Sequence, residues 1–129
     1  MKYIYFGDLN GDLEEERDMI KGQLKDAGIN VEIDITDVPP FDDAFDVLFF
    51  DWGGMSIGNS MMEHFCREFL GMADECPNRI FVMVSMFTAM AMEDALEYVN
   101  RFDDPPANLF LNLEKAIPLI KAWELKNER

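Results

Sequence analysis

No apolar run in this chain approaches the about 18 residues that a membrane-spanning helix needs. Its start, Met-Lys-Tyr-Ile-Tyr-Phe-Gly-Asp, has neither the n-region nor the cleavage site of a signal peptide, and reads as a strand. Cysteine is scarce. Cys66 and Cys76 are expected on one helix, ten residues apart and too distant to bridge, so reduced thiols and a cytoplasmic location are expected. The single histidine, His64, has no Cys or His at metal-ligand spacing and completes no Ser-His-Asp or Cys-His arrangement. It is expected on a helix surface, with Cys66 as core packing. Neither GxGxxG nor the Walker spacing occurs. Basic residues are missing altogether between Lys25 and Arg67, where Asp26, Glu32, Asp34, Asp37, Asp42, Asp43, Asp46, Asp51 and Glu63 all fall. A net charge of −15 opposes binding to nucleic-acid phosphates and favours solubility, a basic protein partner or a divalent cation.

What is present is enough for one folded domain. Hydrophobic residues are 49% of the 129, the share of a globular chain with one sizeable core, and a single α/β domain over 1–129 is expected. Residues 2–7 read as a first strand. Asp12 with Glu15 has the spacing of a capping box, and opens a helix with Leu13, Ile20, Leu24 and Ala27 at helical period and Gly28 as its stop. Val31–Ile35 alternates apolar and acidic residues, as an edge strand with one wet face does. Pro39-Pro40 forbids a long helix before Val47–Phe50, a continuous apolar run suited to a strand buried on both faces. Ser60 with Glu63 starts a second helix with the stripe Met62, Phe65, Cys66, Phe69 and Ala73. A strand over 79–86, a helix over 88–102, a short strand over 109–111 and a final helix capped by Asn112 complete the chain.

Strands alternating with helices predict a three-layer α/β sandwich around a five-stranded, mainly parallel sheet, flavodoxin-like in the order 2-1-3-4-5. The second crossover is so short that its helix is a single turn or absent. In such a sheet ligands bind beyond the carboxyl ends of the strands where their order reverses, here between the first and third. Those strands end near Asp8 and Asp51. Two carboxylates brought together repel unless a cation lies between them, and Mg²⁺ is the hard ion that suits them. After Asp51 comes a Gly-rich loop, with Gly53, Gly54, Ser56, Gly58, Asn59 and Ser60, leading into a helix start that could cradle a ligand. Ser85 and Thr88 lie at the end of the fourth strand, and Asn112 and Lys115 at the end of the fifth. Among the ten methionines, Met55, Met61, Met86 and Met90 fall near the same edge, as gap-filling core or as an adaptable protein-binding patch.

The stretches "DVLFFDWGGMS" and "RIFVMVSMFTA", followed by a closing helix, resemble in layout the receiver domains of two-component response regulators. The resemblance implies that Asp51 matches the phosphoryl acceptor, Asp8 one of the metal-holding acids and Ser85 the switch hydroxyl. Receivers carry an acidic pair after the first strand, where this chain has Gly7-Asp8. They carry a lysine at the end of the fifth strand, where it has Asn112-Leu113, with Lys115 three residues late. The pattern is that of a degenerate receiver.

Three functional readings follow. The first is a small regulatory, signalling module that binds another protein through its strand-end face and holds Mg²⁺ at Asp8 and Asp51. The second is an acidic inhibitor that mimics nucleic acid against a basic partner. The third is an enzyme acting on a nucleotide or phosphate ester at the loop over 51–60, the weakest of the three because no catalytic base accompanies it.

Overall fold

The structure, a computed structural model, describes residues 1–7, 12–38, 40, 44–51, 68–69, 71–84, 107–110 and 112–127. Five strands form one sheet: β1 (Tyr3–Phe6), β2 (Ile33–Thr36), β3 (Val47–Asp51), β4 (Ile80–Val84) and β5 (Leu109–Phe110). Every pairing is parallel, and the spatial order is β2-β1-β3-β4-β5. Helix α1 (Leu13–Asp26) joins β1 to β2, helix α2 (Leu113–Asn127) follows β5, and residues 71–75 are also helical. The expected α/β class and flavodoxin-like order are those observed.

Strand periodicity divides the core in two. Tyr3 and Tyr5 of β1 point to one face, with Val47 and Phe49 of β3 and Ile80 and Val82 of β4. There α1 lays down Ile20 and Leu24, and α2 lays down Leu113, Ala116 and Ile120. Ile4, Phe6, Leu48, Phe50, Phe81 and Met83 point to the other face, against Phe69 and Ala73. Phe69 meets Phe50 and Phe6 at ring separations of 5.1 and 5.6 Å. Val47 through Phe50 are all fully buried, which is why that run alternates in direction without alternating in polarity. Burying each such Leu or Phe contributes about 1.5–3 kcal/mol.

Handedness explains which helix lies where. From β1 to β2 the sheet grows one way, and from β3 to β4 it grows the other. Right-handed crossovers therefore put their helices on opposite faces, as α1 on one and Phe69 and Ala73 on the other are found. Of the short link from β2 to β3, Phe45 lies on the second of these faces. Among the link's described residues none is helical, and Phe45 is buried there, edge-on to Phe81 at 5.7 Å. Arg79 lies over the same Phe45 ring, 4.5 Å from its centre.

Two helix ends follow their sequence signals. Asp12 caps α1 by accepting from the Glu15 N–H at 3.1 Å, and Asn112 caps α2 by accepting from the Lys115 N–H at 2.9 Å. Gly28 turns the chain after α1 at φ +87°, a conformation that costs other residues strain. The second strand begins two residues later than the alternation over 31–35 predicts. Its register with β1 starts at Tyr3 and Ile33, so position 31 lies before β1 begins. The helix predicted over 88–102 and the first part of the one predicted from Ser60 lie outside the described residues.

Candidate functional site

The order reversal between β1 and β3 defines the edge where a ligand would meet this sheet. At that edge Gly7 follows β1, its N–H donating to the Thr36 carbonyl at 3.2 Å. Asp51 is the last residue of β3, in register with Val84 and one step beyond the Phe6–Phe50 pair. The backbone therefore brings positions 7 and 51 to the same level of adjacent strands. Asp8, the loop residues Gly53, Gly54, Ser56, Gly58, Asn59 and Ser60, and the hydroxyl residues Ser85 and Thr88 lie outside the described residues, as do His64, Cys66 and the four edge methionines. Lys115 is exposed in the first turn of α2, with its N–H held by the Asn112 cap.

Gly7 has a reason to be glycine that its sequence neighbours do not reveal. A Cβ at this position would lie 2.5 Å from Leu13 Cδ2, 2.8 Å from Tyr5 Cε1 and 3.0 Å from the Tyr5 hydroxyl. The first turn of α1 closes over the end of β1, and a methyl between them requires the Leu13 side chain and the Tyr5 ring to give way.

Beneath Gly7 lies a polar pair that the sequence reading missed. The Tyr5 hydroxyl donates to Glu16 Oε2 at 2.5 Å, and Glu16 is only 8% exposed. A carboxylate moved out of water needs such a donor. Two residues back along β1, the Tyr3 hydroxyl donates to Glu124 Oε1 of α2. Burial pushes the Tyr3 hydroxyl far above the ordinary tyrosine range; the hydrogen bond to Glu124, its charge and that of Asp46 push the same way. The signal for Glu16 was available: it stands three residues after Leu13 and four before Ile20, on the apolar stripe of α1. An acid in that stripe has to find a partner below it.

Among the described residues no group of three His, Cys, Asp or Glu side chains stands together as a metal site. Two open hollows, of about 380 and 260 Å³, flank residues 29–31 at the amino edge of the sheet, at the opposite end from Asp51. No helix among the described residues is long and apolar enough to cross a membrane. No protein-family model, curated protein or solved structure matches the chain.

Proposed function

We propose that the chain is a small cytoplasmic regulatory module of degenerate receiver type. It binds another protein through the carboxyl edge of its sheet and holds a divalent cation, Mg²⁺, between Asp8 and Asp51. The observation that carries this reading is the parallel β2-β1-β3-β4-β5 order, which brings the end of β1 and Asp51 of β3 to one edge at the point of reversal. Two acids on adjacent strand ends repel each other, and a hard cation relieves that repulsion. The crowding at Gly7 and the distance of Lys115 from the strand end favour cation and partner binding over a phosphoryl switch, which needs a fuller set of acids and a lysine at the edge.

An NMR amide titration with Mg²⁺ and then beryllofluoride, on wild type and Asp51→Asn, tests it. Shifts at Gly7, Asp51 and the loop that follows, lost in the variant, are the expected result. Beryllofluoride shifts that extend to Ser85 would restore a full phosphoryl switch. A flat response to Mg²⁺ would sink the cation site.

A further inference from the structure

The outer edge of β2 offers a second surface, independent of the Mg²⁺ reading. β2 is an edge strand, paired with β1 on one side only. In a parallel strand the N–H and C=O of one residue point to the same neighbour, and successive residues alternate. The Thr36 carbonyl accepts from Gly7 of the β1 side, so Thr36 and Asp34 face β1 while Ile33 and Ile35 turn their backbone groups outwards. Among the described residues nothing hydrogen-bonds to those outward groups. They form a template for one further strand.

The side chains specify what could add there. Ile33 and Ile35 lie on the α1 face, Ile33 buried and Ile35 half-buried against the core. Asp34 alternates to the opposite face and is exposed, followed by exposed Asp37 and by Val38, which is 65% exposed. Glu32, at the start, is already neutralised by Lys21 of α1 at 3.0 Å, and Lys25 lies in the same hollow on that side. The two faces of the edge therefore ask for different residues. On the α1 face an incoming strand should be apolar, to cover Ile35 and avoid the lysines. On the other face it should be basic, to meet the exposed Asp34.

We propose that the β2 edge is a docking site for an extended segment of a partner protein in which apolar and basic residues alternate. A second copy of this chain is the poorer occupant. It would bring Asp34 close to its own equivalent, and like charges across paired strands destabilise them.

The test uses a short synthetic peptide of alternating lysine and valine, added to the full chain. Controls are a peptide of the same composition with lysines and valines in two blocks, and one alternating glutamate and valine. The expected result is amide shifts and exchange protection at Ile33 and Ile35, with the alternating lysine peptide binding more tightly than either control. Asp34→Lys, an exposed substitution, should weaken it about tenfold while leaving the spectrum otherwise intact. Equal binding of the block peptide, with shifts spread over acids elsewhere, would reduce the effect to general attraction by a −15 chain and overturn the proposal. So would equal binding of the glutamate peptide, or no binding at all. A concentration-dependent dimer in sedimentation, with Ile33 and Ile35 protected before any peptide is added, would assign the edge to a second copy instead.

Discussion

Asn108 is the residue whose replacement tests the packing of this fold most sharply. It precedes β5 and is 7% exposed, and its side-chain nitrogen donates to the carbonyls of Ala73 at 2.9 Å, Cys76 at 3.0 Å and Arg79 at 2.7 Å. Three carbonyl oxygens around one atom identify that atom as nitrogen, because an amide oxygen there would face only acceptors. One NH₂ has two hydrogens, so the three carbonyls share them. Asn108→Ala removes about two hydrogen bonds and takes this donor from the buried Ala73 carbonyl, a loss of about 2–3 kcal/mol. Asn108→Asp keeps the shape and inverts the chemistry. A carboxylate would face three carbonyl dipoles at contact distance, costing about 3–5 kcal/mol when ionised. Its folded-state pKa must rise above the ordinary Asp value of about 3.9, since burial and the carbonyls both disfavour the charge. A raised carboxyl pKa means that the folded form keeps a proton the unfolded form has lost. The deficit relative to wild type therefore grows with pH from about 4 upward, by at most about 1.4 kcal/mol per unit, until the folded group ionises. Urea unfolding followed by circular dichroism at pH 5.5 and 7.5 measures this while staying clear of the isoelectric point near 4.2. An N108D chain as stable as wild type, or a deficit equal at both pH values, would refute the reasoning.

Two further outcomes follow from the β1 strand. Gly7→Ala forces a methyl into the gap held by Leu13 and Tyr5, and should lower stability by about 1–3 kcal/mol in urea unfolding; an unchanged midpoint would mean that the Leu13 methyl simply moves aside. The raised pKa of Tyr3 makes stability fall as pH rises above about 10, where the unfolded tyrosine ionises and the folded one does not. Tyr3→Phe should flatten that alkaline loss in unfolding curves between pH 8 and 11, at the cost of the Glu124 hydrogen bond at neutral pH. Equal alkaline slopes in both proteins would assign the loss to other groups.

Local signals carried most of the fold. The apolar run at 47–50 announced a strand buried on both faces. Asp12, Gly28 and Asn112 marked helix ends through their own chemistry, and the ten-residue link after Thr36 left no room for a long helix. What local signals missed was non-local or steric. Asn108 finds its acceptors 29 to 35 residues earlier in the chain, so no window of sequence around it shows the need for an amide. Gly7 looks like a turn glycine, and only the descent of α1 onto the end of β1 shows that the position is full. Tyr3 and Tyr5 look like strand aromatics until helices that begin elsewhere in the chain bring carboxylates to their hydroxyls. Of the candidate site, the sequence made the strand order and the place of Asp51 legible.

The two tyrosine tethers have a consequence for the order of assembly. Tyr5 is joined to α1 only 11 residues on, but the Tyr3 hydroxyl finds its acceptor 121 residues later, in the closing helix. Closing so long a loop is entropically slow, and contacts of this separation are the ones that retard folding. On the ribosome β1 and α1 emerge together, yet the strand that becomes second from the edge must wait for β3 and then for α2 before its buried face is covered. Until Glu124 has been synthesised, Tyr3 remains an uncapped hydroxyl on an apolar surface. In that nascent chain, like charge along the acidic stretch between Lys25 and Arg67 opposes association with copies of itself.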